Sequence, residues 1–251
     1  MTTLIAIYLF MIGLVFGSFF NVVALRIPLG QSVLHPPSSC PNCKTRLKAR
    51  DLLPVISYLS SGGKCRYCNS KVSSVYPFGE FATGVAYVWV YLHFGFTWEA
   101  LTAWLLISLL VIITIADLVY MRIPNKILIF FLPLFIVMRL VSHEQSWWHY
   151  VLGAVAGGGL IILIAVASKG GMGMGDAKLM LLCGFVLGYS QIITGFLLAC
   201  FIGTIVGGVL QALKITKRKQ PIPFGPYLAL GIGIAYGYGS DLINAYLTLI
   251  G

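Results

Sequence analysis

Residues 100–118, ALTAWLLISLLVIITIADL, decide the fold class. Their one ionisable side chain is Asp117, and the run approaches the ~20 residues a helix needs to cross the hydrocarbon of a bilayer. Further apolar runs fall at 3–25, 78–95, 126–142, 149–167, 177–189, 192–213 and 226–248, those at 126–142 and 177–189 being short. The set predicts an all-α polytopic membrane protein of about eight transmembrane helices. Composition agrees: 59% of residues are hydrophobic, 10% are charged and the mean hydropathy is +0.92, outside the range of soluble domains. The first run has no basic residue before it and no small-residue cleavage site after it, so it reads as a retained helix rather than a signal peptide.

The net charge of +10 is not a nucleic-acid signal, because of where the charge sits. Of the seventeen Lys and Arg residues, sixteen fall in four places. These are 26–77, Arg122 with Lys126, Lys169 with Lys178, and Lys214 with Lys217, Arg218 and Lys219. With eight spans, all four lie on one side, and only Arg139 lies near the other. Basic residues gather on the cytoplasmic side of membrane proteins. The pattern therefore places 26–77 in the cytoplasm and both termini outside it.

Segment 26–77 is the only sizeable hydrophilic stretch, and it carries CPNC at 40–43 and CRYC at 65–68. Cys40, Cys43, Cys65 and Cys68 have the spacing of a zinc ribbon, four thiolates for one tetrahedral structural ion. So short a polar segment has too little apolar side chain for a core, and a metal would supply the missing folding energy. Two disulfides are the alternative, but they suit an oxidising compartment. Cys183 and Cys200 lie within spans and read as packing residues. The organisation read from this is residues 1–77, a first helix plus a cytoplasmic four-cysteine zinc segment, followed by residues 78–251, a membrane core.

Acids inside a membrane are costly and usually mark function. Asp117 closes one span near its inner end, and Asp176, preceded by Gly173 and Gly175, opens another on the same side. Two carboxylates facing each other in a poorly solvated cleft share a proton, which suits peptide hydrolysis. The ionised member takes a proton from water while the protonated one polarises the scissile carbonyl. Glycines there let an extended substrate approach the backbone. The plainer alternative makes Asp176 a helix N-cap and pairs Asp117 with Arg122 or Lys126. Glu80 begins a span on the same side, where it could orient substrate or, by default, pair with a loop cation. Asp241 lies in the outer half of the last span with no evident partner. PIPFGP at 221–226 reads as a rigid entry to that span. Glycines at 157–159 and 203–208 read as close helix packing.

Laid out in order, these pieces resemble the bacterial type IV prepilin peptidases along nearly the whole chain. The matching elements are GSFFNVV (17–23) with RIP (26–28), the two cysteine pairs, DLLPVISYL (51–59) and YPFGE (76–80). Asp117 then stands ahead of IPN (123–125), and GMGDAKL (173–179), which includes Lys178, is similar to the GxGD signature; PFGP (223–226) completes the set. The resemblance implies an eight-span aspartyl endopeptidase with Asp117 and Asp176 as its catalytic pair. Its partners would be prepilins or pseudopilins, cut at the cytoplasmic membrane face directly after a glycine, with membrane lipid around it and no nucleic acid. Many members also N-methylate the new amino terminus with S-adenosylmethionine, an activity associated with the cysteine-bearing part.

Three other classes use some of these features. A proton-coupled transporter would use paired membrane acids, but it usually shows repeated halves or interrupted mid-membrane helices, and none is evident. A zinc-ribbon membrane adaptor leaves both acids unexplained. A GxGD protease for signal peptides or archaeal preflagellins would not need the cysteine segment or the motif at 17–28.

Overall fold

The structure is a computed structural model that describes residues 1–143, 145–168, 171–215 and 222–250. The basic positions Lys169, Lys217, Arg218 and Lys219, and Pro221, lie outside the described residues. The helices are α1 (Thr2–Arg26), α2 (Ile56–Ser60), α3 (Val75–Phe94), α4 (Trp98–Tyr120), α5 (Asn125–Val141), α6 (Trp147–Ala167), α7 (Met174–Leu187), α8 (Tyr189–Ala212) and α9 (Gly225–Ile250). Among the described residues the only β-type pairing is two isolated bridges, Ser39 with Arg46 and Lys64 with Lys71.

Among the described residues, four helices are long and apolar enough to cross a membrane: α1 (extended through Leu29), α4, α6 and α8. With 14 residues, α7 spans only about 21 Å at 1.5 Å per residue, short of the ~30 Å hydrocarbon layer. The 17 residues of α5 include Pro133 inside the helix. By length α3 and α9 would suffice, with 20 and 26 residues, but glycine and tyrosine dilute their apolar character. Large apolar side chains are exposed along the helices, among them Met11, Val15 and Phe19 on α1 and Ile129, Phe130 and Val137 on α5. Water would not tolerate so much exposed apolar surface, and lipid would. The chain is a multi-pass helical membrane protein.

Two compact units divide the chain, Met1–Ala100 and Leu101–Gly251, and the division falls within α4. In the first unit α1 packs on α3. A methyl carbon added at Gly13 would sit 2.7 Å from the Gly84 Cα, and one at Gly17 would sit 2.7 Å from the Glu80 Cα. Only glycine lets the two backbones come this close, and dispersion contacts then form along both helices.

In the second unit α6 packs on α7 and α8 on α9. The contacts of Gly153 with Gly184 leave no room for a Cβ on either partner, and that of Gly231 with Gly195 leaves none on Gly231. The glycine patches read from the sequence divide. Gly157 and Gly158 face α7, and Gly203 faces Tyr227, but Gly159 and Gly208 meet nothing within 4 Å, so those two are not packing residues in this fold.

Arg139, the one cation near the opposite side, is buried. Its Nε and Nη2 donate to the Val186 carbonyl at 3.0 and 2.6 Å, and its guanidinium lies 5.0 Å from the centre of the Tyr150 ring. It ties α5 to the carboxyl end of α7, where carbonyls lack helical partners. That role is structural, and it explains why one charge departs from the loop asymmetry.

Candidate functional site

The second unit brings together four of the motifs that the sequence keeps apart. Met121, with φ of 51°, ends α4 by donating its N–H to the Asp117 carbonyl at 2.8 Å. The chain then runs past the start of α7. A Cβ on Gly175 would meet the Ile123 Cβ at 2.9 Å, and Lys178 Nζ donates to Asn125 Oδ1 at 3.1 Å. The start of α9 closes on the same place, where the Gly225 N–H donates to Asp117 Oδ2 at 2.8 Å.

Asp117 is 7% exposed and makes no ion pair among the described residues, so the alternative pairing with Arg122 or Lys126 is not formed. Asp176 is half-buried, and it lies close enough to Asp117 for the charge on one to act on the other. The N-cap of α7 is Gly173. Asp176 is therefore the third residue of the helix rather than its N-cap, and its carboxylate lies beside Gly173 at the helix start. A Cβ on Gly173 would lie 3.0 Å from Asp176 Oδ2 and crowd the carboxylate. Gly225 was missed by sequence reasoning. PFGP was legible as a rigid entry to the last span, but the 108 residues between Gly225 and Asp117 hid the contact. Asp241 is exposed.

In the first unit the four thiols of Cys40, Cys43, Cys65 and Cys68 lie within 4.8 Å of one another. Each pair forms the same knuckle. Cys40 N–H donates to Thr45 O and Lys44 N–H to Cys40 O, while Cys65 N–H donates to Ser70 O and Asn69 N–H to Cys65 O. Lys44 and Asn69 take matching positive φ values of 56° and 57°. The Thr45 and Ser70 hydroxyls lie 3.2 and 3.1 Å from Cys43 and Cys68 Sγ. A hydroxyl two residues after each second cysteine was a readable signal that sequence reasoning passed over.

All six cysteines are free, so the disulfide alternative is not what the chain forms. A tetrahedral ion with sulfurs at about 2.3 Å sets its ligands roughly 3.8 Å apart, and Cys40 and Cys68 Sγ are 3.8 Å apart. Hydrogen bonds from the Ser70 hydroxyl and N–H bring the Cys68 thiol down to about 6. N–H groups of Cys43 and Asn42 lower that of Cys40. Cys65 goes the other way. The N–H groups of Tyr67 and Cys68 favour its thiolate, but burial and the neighbouring Cys40 and Cys68 sulfurs outweigh them. Thiolates so crowded suit a cation, and the donor set suits zinc.

Asp51 braces the second knuckle. It accepts the Lys48 N–H at 3.0 Å and the Tyr67 hydroxyl at 2.8 Å, and it pairs with Arg66 at 3.5 Å. The motifs at 17–23 and 76–80 meet each other. Gly17 seats Glu80, and Asn21 Nδ2 donates to the Tyr76 carbonyl at 3.0 Å. Glu80 does not take the loop cation expected of it. Its Oε2 accepts the Val55 N–H at 2.7 Å, and no ion pair reaches it among the described residues. Between these parts the first unit forms a partly open cavity of about 500 Å³.

Comparison with known proteins gives the class, a membrane peptidase. Residues 11–94 match the bacterial peptidase A24 N-terminal domain, and residues 104–208 match the type IV leader peptidase family. A prepilin leader peptidase/N-methyltransferase of Bacillus subtilis is 39% identical over 96% of this chain and 97% of its own length. Proteins of the same name from Pseudomonas aeruginosa and Stutzerimonas stutzeri are 31% and 30% identical, over 96% and 94% of this chain and 93% and 91% of theirs. No solved structure matches the chain. The chain belongs to the type IV leader peptidase family.

Proposed function

We propose that this peptidase removes the leader from type IV prepilins or pseudopilins, cutting after a glycine at the cytoplasmic face of the bacterial inner membrane. Asp117 and Asp176 are its catalytic pair. The observation that carries the reading is their meeting at the ends of α4 and α7, with the Gly225 N–H holding Asp117 Oδ2. One proton shared by two such carboxyls leaves one group to accept a proton from water and the other to donate to the scissile carbonyl. Gly173 and Gly175 leave the backbone beside Asp176 open to an extended substrate. The relatives' names support a second step on the same substrate, methylation of the new amino terminus with S-adenosylmethionine.

Co-expression with a prepilin, read by intact mass, tests both steps. The product should lose its leader, and it should gain about fourteen mass units only after cleavage, because the amine does not exist before. An uncut precursor in the presence of folded enzyme refutes the peptidase assignment.

The functional division is residues 1–77, carrying the zinc segment, and residues 78–251, carrying the peptidase. All eight long helices cross the membrane in this reading, the short α5 and α7 included, with both termini outside and the zinc segment in the cytoplasm. Charge asymmetry supports the orientation, and the sulfur geometry supports the metal. One labelling experiment addresses both, in a chain whose Cys183 and Cys200 are replaced by Ala. A membrane-impermeant maleimide should leave the four remaining thiols untouched in intact cells. In inverted vesicles it should label them only after a zinc chelator is added. Labelling from outside would reverse the topology, and full labelling from inside without chelator would remove the metal.

A further inference from the structure

We propose that the cavity of the first unit binds the methyl donor, S-adenosylmethionine, through two buried acceptors, Asn21 and Glu80. The proposal rests on the methyl-transfer reading above and gives that reading a site. The cavity's volume, about 500 Å³, falls in the range of about 300–1,000 Å³ that takes small ligands.

The lining is of mixed charge, with Arg26, Lys64, Arg66 and Lys71 beside Asp51 and Glu80, and within it Asn21 and Glu80 offer acceptors to a ligand rich in N–H groups. Asn21 is 2% exposed. Because its Nδ2 is committed to the Tyr76 carbonyl, its other end is the oxygen, and that Oδ1 is buried with no hydrogen-bond partner. Native proteins rarely leave a buried acceptor unused, and an unused one often marks a place where a further group binds. Glu80 is 8% exposed and lines the same cavity. A carboxylate has about four acceptor positions, so the Val55 N–H and the neighbouring Ser18 hydroxyl leave others for a ligand. No ion pair reaches Glu80 among the described residues, and a buried carboxylate favours a positively charged partner. The donor brings a sulfonium, an ammonium and an amino group on its base. Tyr58 and Tyr76 line the cavity and are aromatic residues of the kind that pack against a base, while the positive charge of Arg26, Lys64 and Lys71 suits the donor's carboxylate.

Backbone strain falls at the same place. Val55 has φ of 61° and ψ of −48°, an outlier for a β-branched residue. Its N–H is the group that Glu80 holds. Strain of this kind persists where the surroundings over-determine it, and it gathers at ligand sites.

With the donor bound, the amine that has shed its proton to solvent attacks the methyl carbon. The carbon–sulfur bond breaks with its electron pair going to sulfur, and a neutral thioether leaves.

Calorimetric titration of the full chain in detergent with S-adenosylmethionine tests the assignment, using Glu80→Gln and Ser57→Trp. The first removes the charge while keeping an acceptor for the Val55 N–H. The second fills the cavity from the linker helix, where Ser57 lines it. Glu80→Gln should weaken donor binding about tenfold, the scale of a lost charged hydrogen bond, and Ser57→Trp should abolish it. Methylation of a separately supplied, already processed peptide should fall in parallel. If the wild type binds donor and methylates the peptide while both variants bind donor undiminished, the pocket assignment fails and methyl transfer stands. If the wild type neither binds donor nor methylates, both readings fail together.

Discussion

Asp117→Asn and Asp176→Asn are each expected to lower prepilin cleavage by about a thousandfold or more, within the range that positioned acid–base groups contribute. Asparagine keeps nearly the same shape, so the Gly225 N–H at 2.8 Å from Asp117 Oδ2 retains an acceptor. What disappears is the proton that the pair passes to and from water. Groups that act as one unit are not additive, so the double variant should cleave no worse than either single one. Both variants should still insert in the membrane and keep the metal, because the cysteine cluster lies in the other unit. Asp241→Asn is the control, an exposed acid on α9 that should cleave normally. An Asp117→Asn or Asp176→Asn enzyme of full activity would end the dyad, and a proton-coupled transporter would again be the better use of two membrane acids.

The helices were legible because a bilayer imposes long uninterrupted apolar runs on a chain. The predicted runs at 126–142 and 177–189 are α5 and α7 to within a few residues. The cysteine knuckles were legible for a similar reason, since metal ligands need fixed spacing in a short loop. Contacts between motifs were not. Nothing in periodicity says that Gly17 seats Glu80, that Asn21 holds the Tyr76 carbonyl, or that Arg139 turns inward to Val186. These depend on which face of each helix meets which neighbour. A charge such as Glu80 was assigned a cation by default, because surface carboxylates usually take one. In the fold it is buried and reaches a backbone N–H instead, a partner that exists only because Val55 adopts a conformation rare for valine.

Gly225 shows most directly how much function such a contact can carry. A methyl group there would sit 2.7 Å from Asp117 Oδ2 and 3.0 Å from its Cβ and Cγ, distances that force a shift. Asp117 is buried, so its side chain has little room to yield without moving off the line to Asp176. Gly225→Ala keeps the N–H donor, and alanine suits a helix start no worse than glycine. Any loss should therefore come from displacement of the carboxylate rather than from a missing hydrogen bond. Overpacking of this kind costs about 1–3 kcal/mol of stability, which a folded membrane protein can survive. A misplacement of about 1 Å at the reacting groups can cost about a hundredfold in rate. Gly225→Ala is therefore expected to fold, to keep its metal and to cleave prepilin about a hundredfold more slowly, with the loss in kcat rather than in KM. Gly233→Ala, on the same helix with nothing within 4 Å of the added methyl, should match the wild type. If Gly225→Ala cleaves as fast as Gly233→Ala, Asp117 does not need the position that α9 gives it, and PFGP is only the rigid helix entry that its sequence suggests.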